Sequence, residues 1–326
     1  MKKVKFLFPF LFLTHVVFAW GFYGHKMVNR LAVFSLPPEM FAFYKANIDY
    51  LTENSVNPDK RRYSDTAEAC RHYIDLDHYE KFLPIDTVPR KWNDAVTKLS
   101  KDTLLAYGIV PWHIQVMMQR LTYAFKEKDL EKILRVSAEL GHYVADAHVP
   151  LHASENYNGQ FTNQHGIHGF WESRLPELFS TDYDLFVGKC YYLNNPLEIA
   201  WEASEGSFAG LDTVLGFERK LNASFDESKK YRIEYKGQTQ VKVYSKEYAA
   251  AYHQMLAGQV ERRLKASILT VANMWFTAWV DAGQPNLNDL VKDKKQTKPS
   301  DEEMQQIIAE EQRLLNENRM IGRDEK

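Results

Sequence analysis

Residues 142–172 hold an unusual density of side chains able to bind a metal ion. His142 and Asp146 are four apart, and so are His168 and Glu172. On a helix that spacing stacks both side chains of a pair on one face, a turn apart, within reach of one ion. Pro150 stops the first helix, and His152 follows it in a turn. Three imidazoles and two carboxylates thus stand where geometry lets them converge. A single His-x3-Asp pair is more often an ordinary surface interaction. Two pairs with a further histidine in one segment read as metal-binding. Nitrogen and oxygen donors without thiolate suit catalytic zinc better than a closed structural site.

The chain of 326 residues is 45% hydrophobic, enough for a substantial core. Residues 1–19 have the form of a secretory signal: Lys2, Lys3 and Lys5, then an apolar run, then Val17-Phe18-Ala19 as a small-residue cleavage site. The apolar run is short and interrupted by Pro9, so no stable membrane span is expected. Export places the protein in the periplasm or outside the cell. Losing the three lysines leaves 38 basic against 43 acidic residues, a balance that does not grip nucleic acid by bulk charge, although a local groove still can. Cys70 and Cys190 are the only cysteines. They are too few for a Cys-rich zinc site, and in an exported protein they are candidates for one disulfide. Cleavage after Ala19 would expose Trp20, whose free α-amino nitrogen and carbonyl oxygen can chelate a metal as a five-membered ring. His25 follows two glycines that let the backbone fold back, and a helical pattern then begins at Met27. Taken singly, Trp20 fits a core aromatic and His25 a helix-start histidine.

WGxxGH at that mature terminus, followed by His-x3-Asp-x5-His and then His-x3-Glu, resembles the superfamily of zinc-dependent phospholipase C and S1/P1-type single-strand nucleases. The match to its ligand pattern spans residues 20–172. The resemblance implies a mostly α-helical, single multi-helix domain over 20–287 with a trinuclear zinc site that hydrolyses phosphodiester bonds. It implies that Trp20 and His25 hold one zinc, and that Asp59, His72, His142 and Asp146 surround another, with Asp146 bridging the two. His152, His168 and Glu172 would bind the third. Asp59 is spaced somewhat closer to His72 than in better-known relatives, which leaves Asp65 as a competitor. By the same resemblance Asp59 orients the attacking water or takes its proton, and Arg62 contacts phosphate. Arg62 fits a solvated basic run with Lys60 and Arg61 equally well. Ligand histidines need a partner on the second ring nitrogen, and the sequence does not reveal those partners. His148 falls on another side of its helix from His142 and suits a wall role. His78, His113 and His253 sit among aromatics or in amphipathic segments and read as structural.

The elements that must carry these residues are mostly helical by period. Residues 38–54 form a helical pattern with Met40, Phe41, Tyr44, Ile48 and Leu51 on its apolar side. Segments 112–126 and 129–149 make a helical pair, the second carrying ligands at its end. A long amphipathic pattern covers 195–222, and 231–243 predicts a small β-hairpin insertion turning at Lys236-Gly237. Residues 246–279 return to helix with Leu256, Val260, Leu264, Ile268, Val271 and Trp275 at helical intervals, a core stripe. Residues 288–326 are highly charged and read as linker and tail, with an exposed helix at 301–315.

The chemistry implied is in-line attack on phosphorus by metal-activated water, with no covalent intermediate. The loop 153–164, with Tyr157 and Phe161, forms part of the pocket wall, and His165 lines it. Aromatics there stack on a base or cage a choline ammonium equally well. Glu172 and the acidic balance lean toward a phospholipase C-like enzyme acting on phospholipid. Arg62 leans toward a single-strand endonuclease releasing 5′-phosphorylated products, and of the two the phospholipase C-like reading is slightly preferred. A non-catalytic zinc-binding protein is a third reading, against which the many carboxylates weigh. The protein is taken as a monomer.

Overall fold

Apolar residues recurring every third or fourth position drive most of this chain into helices that bury one stripe each. The computed structural model describes residues 21–290, apart from 63, 82–83, 237–238 and 289. The first half runs through α1 (Gly21–Ala32), α2 (Pro38–Ala46), α3 (Ile48–Glu53), α4 (Asn57–Arg61), α5 (Leu76–Glu80), α6 (Trp92–Leu99), α7 (Lys101–Tyr107), α8 (Val110–Glu127) and α9 (Leu130–Ala147). Next, α10 (Ile167–Gly169) passes through a π-helical turn at Phe170–Arg174 into α11 (Leu175–Phe179). The second half holds α12 (Pro196–Asn222), strands β1 (Tyr231–Lys236) and β2 (Thr239–Tyr244), α13 (Lys246–Met255) and α14 (Gln259–Asp281). The fold is mostly helical, with one small antiparallel hairpin in which Tyr231 pairs with Tyr244. Among the described residues no helix is long and apolar enough to cross a membrane.

The helix α9 is the centre of the fold, packed by α1, α3, α8 and α14. Thirteen of its residues are buried, including His142 and Asp146, so its last two turns bring polar donors into the interior. Lys128 adopts the left-handed conformation between α8 and α9, and the Asp129 side chain caps the new helix by accepting from Lys132 N at 3.1 Å. The short connection makes the two helices antiparallel neighbours. On the opposite side, Trp275 of α14 stacks on Tyr44 and donates to Ser137 O at 3.0 Å.

Several expected elements differ in detail. The pattern over 38–54 is two helices that break at Asn47, whose backbone leaves the helical region and whose amide donates to Phe43 O. The pattern over 246–279 also divides, because Ala257 and Gly258 both take positive φ. Apolar periodicity continues across both breaks, which is why it hides them. His25 lies inside α1 and not ahead of a helix that begins at Met27. Gly21 is required for closeness: a Cβ there would stand 2.5 Å from Ser173 Oγ. Cys70 and Cys190 are free thiols and do not bridge. Trp20, the signal segment, the tail and its expected helix lie outside the described residues.

Candidate metal centre

Six separate stretches of the chain deliver donors to one buried region. His25 comes from the middle of α1, Asp59 from the first turn of α4 and His72 from the turn before α5. His142 and Asp146 come from the end of α9. Past the helix, Val149 is extended and Pro150–Ala153 makes a 3-10 turn that carries His152. His168 lies in α10, and Glu172 in the π-helical turn. A π turn widens the helix and is frequent at functional sites; here it keeps His168 Nε2 3.0 Å from Glu172 Oε2. All eight residues are buried, and they fall into three groups, the first two sharing His142, with the donor atoms inside each group within 4.8 Å of one another.

In the first centre, His142 Nε2 is 3.2 Å from Asp146 Oδ2, 3.7 Å from Asp59 Oδ1 and 3.1 Å from His72 Nδ1. His25 stacks on His142 with ring centroids 3.8 Å apart, and its Nε2 is 3.4 Å from Asp146 Oδ1. Asp146 thus faces His25 with one oxygen and His72 with the other, at 2.9 Å. The second centre follows directly: His152 Nε2 lies 3.5 Å from Glu172 Oε2 and 3.9 Å from Asp146 Oδ1. Two histidines have their outer nitrogen held by backbone carbonyls. His142 Nδ1 donates to Ser55 O at 2.8 Å, and His152 Nδ1 donates to His72 O at 2.7 Å. A neutral imidazole bonded in this way points its remaining lone pair inward.

The electrostatics suit a cation. Burial pulls His25 below its ordinary pKa, and the neighbouring His142 adds to that. Burial also works against the charged form of His142, yet Asp146 and Asp59 outweigh it and lift the group to about 9. Asp146 is held well below the carboxylate range: burial opposes this, but His142 and His152 prevail. Both His25 ring nitrogens, both Asp59 oxygens, Asp146 Oδ1 and His152 Nε2 are buried without a hydrogen-bond partner. Buried polar atoms without partners are costly. That cost, together with an all-nitrogen-and-oxygen donor set, fits zinc.

The remaining expected site residues divide. Asp59, and not Asp65, reaches the cluster; Asp65 is turned to Arg71 at 3.3 Å. Arg62 ends α4 close to Asp59 and forms no ion pair among the described residues, whereas its neighbour Arg61 is tied to Glu139 and Glu68. Tyr157 stands edge-on to His168 at 6.0 Å. Phe161 is exposed, and His165 is exposed with its carbonyl accepting from the Tyr244 hydroxyl at 3.4 Å. His148 stays out of the cluster, its Nδ1 donating to Val144 O. His78 stacks on Tyr107, and His253 bonds the Tyr183 hydroxyl. Sequence reasoning missed Glu68, fully buried and 3.4 Å from His72 Nε2. Its place four residues before His72 was the available signal, because a ligand histidine needs an outer partner.

A helical protein that gathers imidazoles and carboxylates from distant segments into adjoining buried groups is, as a class, a candidate multi-metal protein. The chain belongs to the S1/P1 nuclease family, whose match runs over residues 20–273. None of the curated proteins matches it. Among solved structures it is similar to the Clostridium perfringens alpha-toxin of avian strain SWCP, with 16% identity and a TM-score of 0.43, covering 83% of this chain and 65% of that one. It is also similar to the alpha-toxin of Clostridium absonum, with 12% identity and a TM-score of 0.45, covering 78% of this chain and 63% of that one. The chain therefore spans less than two thirds of the length of either toxin.

Proposed function

We propose that the protein is an exported, zinc-dependent phosphodiester hydrolase acting on single-stranded nucleic acid and releasing 5′-phosphorylated products. The observation that carries the reading is the convergence of His25, Asp59, His72, His142, Asp146, His152, His168 and Glu172 into adjoining buried groups, in a chain whose family match covers 20–273. Asp59, His72, His142 and Asp146 would hold one zinc, and His152, His168 and Glu172 another. His25 and Asp146 would hold a third together with the amine and carbonyl of Trp20, freed by removal of residues 1–19. Bound zinc supplies a water nucleophile at neutral pH and offsets charge on the phosphoryl oxygens. Asp59, at the edge of the first group, is positioned to orient that water and accept its proton. Tyr157 beside His168, with Phe161 on the same loop, offers rings on which bases stack, and Arg62 offers a guanidinium to the phosphate.

A second reading, a phospholipase C-like enzyme acting on a phospholipid head group, rests on Glu172, the longer carboxylate at the second centre. One experiment tests both. Zinc content of the mature protein is measured beside hydrolysis of bis-p-nitrophenyl phosphate, single-stranded DNA and phosphatidylcholine, before and after chelation. Zinc-dependent turnover of DNA over phosphatidylcholine is the expected result. The reverse preference favours the second reading, and zinc without any turnover favours a binding protein.

A further inference from the structure

Glu68 lies outside the ligand groups, yet its carboxylate is tied to the segments that carry Asp59, His72 and His142. Oε2 accepts from Arg71 Nη1 at 2.7 Å and from Arg61 Nε at 3.3 Å. Oε1 accepts the Tyr143 hydroxyl and faces His72 Nε2 at 3.4 Å. Arg61 is two residues from Asp59, Tyr143 follows His142, and Arg71 precedes His72. Three donors thus fix where the carboxylate stands, and each shares a segment with a ligand.

His72 is turned opposite to its neighbours. His142 and His152 direct Nε2 inward, with Nδ1 held by a carbonyl. His72 directs Nδ1 inward, 2.9 Å from Asp146 Oδ2 and 3.1 Å from His142 Nε2. Its outer nitrogen has no ordinary hydrogen bond and one carboxylate in front of it. The separation is slightly long for a hydrogen bond, and a small tilt of the ring closes it. A carboxylate there fixes the tautomer and makes the inward nitrogen a stronger donor than a carbonyl partner does.

We propose that Glu68 is the positioning residue of the first metal centre, holding the His72 proton on Nε2 so that Nδ1 is presented to the ion shared with Asp59, His142 and Asp146. The inference rests on the zinc reading above and deepens it: it makes the first centre dependent on a carboxylate outside its ligand set.

The test compares zinc dissociation constants of the mature wild type, Glu68→Gln and Glu139→Gln by competition with a chromophoric chelator. Glu139→Gln removes the other carboxylate on Arg61 without touching His72. The expected result is one class of zinc weakened about 10- to 100-fold in Glu68→Gln, with the remaining zinc and Glu139→Gln unchanged. Unchanged affinities in Glu68→Gln, or equal weakening of every zinc, overturn the proposal. Nitrogen-15 NMR of histidine-labelled, zinc-loaded wild type decides independently of any variant's folding. A proton on His72 Nε2 supports the assignment, and zinc on Nε2 overturns it. A wild type that binds no zinc sinks the functional reading itself, whereas one that binds zinc and turns over substrate with Glu68→Gln unaltered sinks only this inference.

Discussion

Asp146 is the side chain that stands between the two centres. One oxygen lies near His25 and His152 and the other near His72 and His142, so a single carboxylate serves four imidazoles. Asparagine at this position keeps the volume and removes the charge that lifts His142 to about 9. Asp146→Asn is expected to lose more than one zinc and to lower phosphodiester hydrolysis on the order of 1000-fold, with the helical circular dichroism unchanged. Metal analysis beside kinetics checks this. Retention of full zinc content and activity would remove Asp146 from its central role.

At the scale of elements, the distance between α1 and α9 decides whether His25 can stack on His142. Gly141 sets that distance. A Cβ on it would fall 1.9 Å from Asn29 Oδ1, and Asn29 is buried, donating to Leu51 O and Ala138 O. Alanine cannot be accommodated by moving the Asn29 tip alone without breaking those bonds, so α1 must shift away from α9. Gly141→Ala is expected to destabilise the fold by about 1–3 kcal/mol and to weaken zinc binding at His25. Denaturant titration and zinc content measure the two effects. The helix breaks at Asn47 and at Ala257-Gly258 work at the same scale. Each lets one apolar stripe turn a corner and remain in contact with the core.

For the molecule as a whole, burial of histidines outside the centre makes stability depend on pH. His113 packs edge-on against Tyr143 at 4.4 Å. Burial first, with Arg71 adding, depresses it to about 3, and burial depresses His148 to about 3 as well. An unfolded histidine takes up its proton near pH 6.5. Between about pH 6.5 and pH 3 the unfolded chain therefore binds protons that the folded chain refuses. The contribution is present above the unfolded value and is lost as pH falls toward the folded one, by up to about 1.4 kcal/mol per pH unit for each group. His113→Phe is expected to flatten the dependence by one such share. Chemical denaturation of the zinc-free protein between about pH 7 and pH 5 checks the slope, and an unchanged slope would mean that His113 titrates normally in the fold.

The sequence by itself determined the helical class, the pair α8 and α9, the hairpin, and the order of donors His142, Asp146, His152, His168 and Glu172. Those features depend on local geometry: four residues make about one helical turn, a proline stops a helix, and alternation around a glycine turn makes a hairpin. Tertiary structure alone decided that Asp59 reaches the cluster while Asp65 turns to Arg71. It also set His25 inside a helix, kept Cys70 and Cys190 apart, and placed Glu68 behind His72. These outcomes depend on how α1, α4 and α9 meet through side chains such as Asn29, Arg61 and Tyr143. Periodicity along one segment says which face is buried, but it holds no information on which distant segment that face will touch.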